Sequence, residues 1–345
     1  AGKATGVAKY QSGDSDLKVG KSANADSEGD GGDAVSVGAA LGLNVAWSEA
    51  HARVGAVAIE AGGQFKLQSE NNMDATALAD GSASLGKDIT DGTTVGIGIA
   101  INVAQMQNEA AIEAGAKVSA QGASVQAVMK DVGGDTTHKF GATAVSGASG
   151  GDTGVAGSFA LNYSEATTQA VLPVGATVNA GSGDVALKAQ NTSEAAVSAT
   201  AKAGAGETGV GVSIGLNIVG DASSRAALEG TLTGGNNLTL QAEGSHTLTT
   251  SAIGGGAAKD GTGVGGALAL TVAVNNDSEA QVLGGNALEI SGAFDAQATH
   301  HGSAVTRAEG QGKGSDAAVG VALALSFVDD QAVASLDRDL KAGGA

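Results

Sequence analysis

One pattern recurs along all 345 residues and restricts what this chain can fold into. It is an alternating segment of about eleven residues: VGAALGLNVAW (37–47), VGIGIAINVAQ (95–105), VAGSFALNYSE (155–165), VGVSIGLNIVG (210–220), VGGALALTVAV (264–274) and VGVALALSFVD (319–329). Successive copies start 58, 60, 55, 54 and 55 residues apart. A fixed period of this length marks a repeat architecture, in which each unit buries its apolar surface against its neighbours.

Within a copy, one side is large and the other small. Val210, Val212, Ile214, Leu216 and Ile218 alternate with Gly211, Ser213, Gly215 and Asn217. Period-2 alternation bounded by Gly, Asn, Asp and Ser predicts strands and turns. Each unit continues through a step such as EAAI (109–112), QAVL (169–172), RAAL (225–228) or EAQV (279–282). A second strand follows in GDVALKA (183–189), NNLTLQA (236–242) and NALEISG (286–292), and then an Ala/Ser/Thr/Gly closing stretch. The chain has 57 glycines, one proline (Pro173) and 2% aromatic residues, so a thin core between stacked layers suits it better than a bulky globular one.

The expected fold is all-β: an elongated parallel β-solenoid, a right-handed β-helix built from about six ~55-residue repeats. Residues 1–345 read as one continuous array, with a partial unit at 1–36, units starting near 37, 95, 155, 210 and 264, and a partial unit at 319–345. DSDLKVGKSANAD (14–26) reads as the second strand and closing stretch of a unit. With two coils per unit, about twelve coils stacked ~4.8 Å apart would give a rod of roughly 58 Å. Antiparallel hairpins turning within 217–228 and 272–283 are the alternative. The large face is expected to form the core. The small face would then be closed by the chain's own closing stretches or, alternatively, by a neighbouring molecule.

The polar position of the opening strand recurs as Asn44, Asn102, Asn162, Asn217, Thr271 and Ser326. In stacked coils these side chains would form a hydrogen-bonded ladder, a structural role. Asp33, Asp91, Asp152, Glu207, Asp260 and Asp316 precede the ladder positions, and Glu49, Glu109, Glu165, Asp221, Glu279 and Asp330 follow the strands. Stacked acids would be relieved by solvent or by Ca2+, a cation that takes oxygen ligands. Capping of turn amides is the simpler role for them. The five histidines (His51, His138, His246, His300, His301) share no repeat position, so no metal or acid–base role is read for them.

A net charge of −18 argues against nucleic acid, and no apolar run reaches the length of a membrane-spanning helix. No serine sits in a nucleophile elbow, and the Gly-rich strings arise from strand alternation without a following helix. β-Helical polysaccharide-degrading enzymes need a specialised cleft with aromatic platforms, yet Trp47, Tyr10 and Tyr163 are dispersed. No enzymatic activity is therefore expected.

The string GVGVSIGLNIV…AALEGTLTGGNNLTLQAEG (209–244), most closely GTLTGGNNLTLQA (230–242), resembles the repeats of giant bacterial exoproteins. These are the filamentous-haemagglutinin-like and leukotoxin-like surface adhesins. The resemblance implies a β-helical segment of a fibrous adhesin or matrix protein, at the cell surface or secreted, that spans distance and mediates adhesion or aggregation. Self-association, end to end or lateral, and contact with a host surface or matrix polysaccharide are the partners this implies. A subunit that assembles end to end into an extracellular filament is the alternative, and a polysaccharide-binding or -degrading β-helix is the second.

Overall fold

The computed structural model describes residues 8–29, 34–86 and 89–344. It is a parallel β-solenoid of two long sheets and a short third wall, with strands numbered in chain order. The first long sheet, A, holds β1 (Ala8–Gly29), β4 (Phe65–Leu85), the pair β7 (Ala123–Met129) and β8 (His138–Ser149), β11 (Val185–Ala205), β14 (Leu238–Ala258) and β17 (Phe294–Lys313). The second, B, holds β2 (Ala34–Val54), β5 (Gly92–Ile112), β9 (Thr153–Leu172), β12 (Thr208–Leu228), β15 (Thr262–Val282) and β18 (Ala317–Leu336). The short wall contains β3 (Ala58–Glu60), β6 (Lys117–Ser119), β10 (Thr177–Asn179) and β13 (Thr231–Thr233), with β16 (Leu288–Ile290) paired to β19 (Leu340–Ala342).

All pairings within these sheets are parallel and join equivalent positions of successive repeats, as in Asn102↔Asn162 and Asn162↔Asn217. The antiparallel hairpin alternative is thereby excluded. Each repeat makes one coil, not two: sheet A strand, sheet B strand, short wall, next coil. The reason is the length of the strands. The opening segment and the step after it form one strand of about 21 residues, and so do the second strand and closing stretch. At ~3.3 Å per residue such a strand is ~70 Å long. Six coils at ~4.8 Å span only ~25 Å from first strand to last, so the array is a broad two-sheet slab.

The slab's cross-section is a wedge. At the wide end the short wall separates the long sheets and large side chains fill the space: Phe65, Leu67, Leu187, Leu238 and Leu240 from sheet A, Ile112, Leu172 and Leu228 from sheet B, Val118, Val178, Leu232 and Leu288 from the wall. The apolar residue closing each EAAI-type step thus belongs to the core. Toward the narrow end the packing residues shrink, through Met73, Met106, Phe140 and Leu248 to alanines and finally glycines.

At the narrow end the strand faces are the reverse of the expectation. Gly209, Gly211, Ser213, Gly215 and Asn217 point inward and are buried, whereas Val210, Val212, Ile214, Leu216 and Ile218 point outward. The large face is not the core. Complementarity of volume explains this. The closing stretches of sheet A present Ala199, Ala201 and Ala203, or Gly254 and Gly256, inward, and place Ser198, Thr200 and Lys202 outside. Only a Gly/Ala/Ser face lets the opposite backbone close onto such a surface. A Cβ built on Gly211 would lie 2.7 Å from the Gly255 carbonyl carbon, and one on Gly256 2.8 Å from that of Val264. The small face is closed by the chain's own closing stretches.

Candidate functional site

Four of the six ladder residues form a continuous amide chain inside the slab. Asn44 Nδ2 donates to Asn102 Oδ1 (2.7 Å), Asn102 Nδ2 to Asn162 Oδ1 (2.8 Å) and Asn162 Nδ2 to Asn217 Oδ1 (3.0 Å). Asn217 ends the run by donating across to Ala195 O at 2.8 Å. Thr271 instead shares hydroxyl hydrogen bonds with Thr250 (2.7 Å) and Thr306 (2.6 Å) of the facing sheet. Ser326 is exposed on β18. The ladder is buried and presents nothing to a ligand.

The acidic residues before the strands sit on the turns between sheets A and B. Asp33 lies outside the described residues. Asp152 and Glu207 fall in one register, as their neighbours Thr153↔Thr208 show, while Asp260 and Asp316 fall one residue out of step with the strand before them. Among the acids after the strands, Glu165 and Asp221 are register partners, whereas Glu109, Glu279 and Asp330 each face a non-acidic residue on the strand before them or after them. Parallel register places His51, Glu109, Gln169, Arg225 and Glu279 in one row. Polar side chains pair beside this row: Arg53 with Glu109, the His51 ring Nδ1 with Glu109 at 3.1 Å, and Arg225 Nε with Glu279 at 3.5 Å. Among the described residues, neither acidic set brings three ligating atoms together, so no oxygen cage for Ca2+ forms.

The largest feature on the surface is the outward face of sheet B. Register aligns five apolar columns across six strands. They begin at Val37, Ala39, Leu41, Leu43 and Val45 and end at Val319, Val321, Leu323, Leu325 and Phe327. The central column reads Leu41, Ile99, Phe159, Ile214, Leu268, Leu323. Leu41 is 59% exposed, Val212 43% and Val321 62%. Eight residue steps along the strands and five strand gaps across give ~26 Å by ~24 Å, or about 600 Å2. That is at or beyond the largest apolar patch of an ordinary monomer. The outward face of sheet A carries Lys188, Gln190, Thr192, Glu194, Gln241, Glu243 and Thr247 instead.

A polar border limits the patch. Trp47 Nε1 donates to Gln105 Oε1 (2.8 Å), whose Nε2 donates to Glu165 Oε2 (2.8 Å), and Tyr163 bonds Glu165. Beyond this row the same face carries Glu49, Glu109, Asp277 and Glu279. A shallow recess of about 420 Å3 opens there, lined by Gln169, Asp221, Arg225, Asp277 and Glu279 among others. Burial pushes the Asp221 carboxyl above its ordinary value. The recess lies beside the bulges at Val219/Asp221 and Ala273/Asn276, where Asn275 adopts φ 55°. No aromatic ring lines it for a sugar to stack on.

The histidines are less scattered than their spacing suggests. His138 is a core residue: it is fully buried, and its Nδ1 accepts the Met73 N–H at 2.9 Å. Burial lowers its pKa to about 3. His246 and His300, 54 residues apart on β14 and β17, meet between the sheets with Nδ1···Nε2 at 3.0 Å. That spacing is two short of the local register, in which His246 faces Gly302. A one-strand neighbour in register, Gly244↔His300, sets His300 two residues from His246 on the same inner face.

Among the described residues, no helix is long and apolar enough to cross a membrane. Compared with protein-family models, with curated proteins and with solved structures, the chain matches none.

Proposed function

We propose that this chain is a structural segment of a bacterial cell-surface or secreted fibrous adhesin or matrix protein, and that the apolar half-face of sheet B is its working surface. Through that face one copy packs against a second copy of the same chain. The observation carrying this reading is the five-column apolar patch, because nothing else on the surface departs as far from what water tolerates.

The area fits the occupant. About 600 Å2 per copy gives roughly 1,200 Å2 in total, which clears the threshold for a specific interface. Val, Ile and Leu columns on a flat sheet interdigitate with a like sheet at ~10 Å, as in sandwich cores. A two-fold axis along the coil-stacking direction sets the central column against itself and sends the two acidic halves to opposite sides. A lipid surface is disfavoured, since interfacial binding uses basic residues beside the apolar ones and this face borders carboxylates on a chain of charge −18.

Sedimentation equilibrium tests the reading. The wild-type chain is expected at twice 32.8 kDa, and the outward triple variant Ile99→Glu, Ile214→Glu, Leu268→Glu at once that mass with unchanged circular dichroism. Because the chain has no cysteine, Ile214→Cys should cross-link to its own copy. Val210→Cys should cross-link with Ile218→Cys rather than with itself. A monomer at all concentrations, association that survives the triple variant, or flotation with neutral phosphatidylcholine vesicles would each refute it.

End-to-end growth into a filament is the second reading. It is supported by Asn44 Oδ1, a buried acceptor with no partner among the described residues, in the same column as Ser326, a hydroxyl on the opposite edge strand. Fibres one slab wide by electron microscopy would favour it.

A further inference from the structure

Position 246 belongs to an inner column that reads His138, Ser193, His246, Gly302, and in the last two coils the residues around it collect nitrogen and oxygen donors. His246 comes from β14, His300 from β17 and Asp330 from β18, so sheets A and B both contribute. One ligand atom from each lies within 4.8 Å of the others. His246 Nε2 is 3.5 Å and His300 Nε2 3.9 Å from Asp330 Oδ1.

His246 is 1% exposed, and its Nε2 has no hydrogen-bond partner among the described residues. A buried ring nitrogen aimed at a carboxylate without bonding it is costly unless something else uses its lone pair or proton. The neighbours are arranged around the gap. Ser278 Oγ contacts His300 Nδ1 at 3.1 Å and fixes that ring, while His300 Nε2 lies 3.0 Å from His246 Nδ1, a contact that ligation through Nε2 would replace. Asn276 Nδ2 donates to Asp330 Oδ1 at 3.2 Å and orients the carboxylate. Two glycines make the room. A Cβ on Gly302 would lie 2.9 Å from His246 Cε1 and overlap Asp330, and one on Gly244 would lie 2.5 Å from both His300 Nδ1 and Ser278 Oγ.

We propose that His246, His300 and Asp330 bind a divalent first-row transition-metal ion of the zinc class between the two sheets. Bonds of ~2.0–2.2 Å to imidazole and carboxylate set tetrahedral ligand atoms ~3.3 Å apart. The observed 3.5 and 3.9 Å edges close to that with a shift of a few tenths of an ångström. Two imidazoles and one carboxylate suit Zn2+, Co2+, Ni2+ or Cu2+, whereas Ca2+ requires six or more oxygens. The Asp330 side, 32% exposed, leaves the remaining position to water or to an incoming donor. The ion staples β17 and β18 to the coil before them and so joins the sheets where the glycine packing does not reach.

Zn2+ titration of the full chain by calorimetry, and Co2+ titration followed by its d–d absorption, test this. Both should show one ion per chain with tetrahedral-type Co2+ bands. Asp330→Asn keeps shape and hydrogen bonding and should weaken Zn2+ by about 10- to 100-fold or more. His246→Gln should remove the site, and Zn2+ should no longer raise the melting temperature of that variant. His301→Gln, an exposed neighbour on the outer face, should bind as the wild type does. Absence of Zn2+ and Co2+ binding to the wild-type chain overturns the proposal. So does binding that is unchanged in both Asp330→Asn and His246→Gln, or binding lost in His301→Gln. If His246→Gln does not fold, Asp330→Asn, partly exposed on an edge strand, decides alone.

Discussion

Gly211→Ala should be among the most damaging single-methyl changes in this chain, although alanine is the better residue for an ordinary strand. At an open position the change gains about 0.5–1 kcal/mol from reduced chain entropy. At Gly211 the new methyl would sit 2.7 Å from the Gly255 carbonyl carbon, where ordinary contact begins at 3.4 Å. The obstacle is the backbone of the facing sheet, which has no rotamer to adopt, so the sheets must part by close to 1 Å. A gap of that size forfeits a quarter to a half of each dispersion contact around it. It also stretches the bond from Ser213 Oγ to Ile253 O, now 2.6 Å. A quarter to a half of some thirty atom pairs at ~0.1–0.2 kcal/mol, plus ~1 kcal/mol for that hydrogen bond and less the entropy gain, gives a net loss of about 2 kcal/mol. With an unfolding entropy of ~2.1 cal/mol/K per residue, the melting temperature falls by about 3 °C if the array melts as one unit. Gly157→Ala, on the outer face with nothing within 4 Å of its Cβ, is the control and should be neutral or slightly stabilising. Differential scanning calorimetry of both variants decides. Equal melting temperatures would mean that the sheets do not meet at Gly211 and that the small face is not the interior.

Three further outcomes follow from the same geometry. Asn102→Ala removes two ladder bonds and leaves Asn44 Nδ2 and Asn162 Oδ1 buried without partners, so urea denaturation should show a loss of about 2–4 kcal/mol. His138, held neutral by burial with a pKa of about 3, contributes stability that is complete above its unfolded pKa near 6.5 and declines as pH falls toward 3. The unfolded chain binds the proton first in that window, so stability should drop by up to ~1.4 kcal/mol per pH unit. His138→Asn, which retains an acceptor for the Met73 N–H, should flatten that slope. Arg338 donates to Leu283 O (2.6 Å), Gly230 O (2.9 Å) and Leu228 O (3.1 Å), so Arg338→Met should speed amide hydrogen exchange across β19 without altering the middle coils.

Much of the fold was legible in the residues because a repeat carries its own alignment. The near-equal spacing of six alternating segments favours stacking of equivalent positions over antiparallel hairpins, and such stacking carries the Asn44–Asn102–Asn162–Asn217 ladder with it. The strands and their division into one large and one small face belong to the same local pattern. Coil length was harder to read. A turn-rich sequence conceals that the opening segment and the step after it form one unbroken strand, since Gly, Asn and Ser within it resemble turn residues.

Sequence alone determined that this protein stacks β-strand repeats and that each strand has one large and one small face. Tertiary structure alone decided which face is inside. A period-2 pattern names two faces but gives neither a direction. The direction depends on a partner strand some forty residues away, where Gly255 and the alanines of the closing stretches leave room only for glycine. That choice turned Val210 to Ile218 outward, converting an expected core into the exposed surface by which we propose the protein associates. The same kind of long-range juxtaposition brings His246, His300 and Asp330 together.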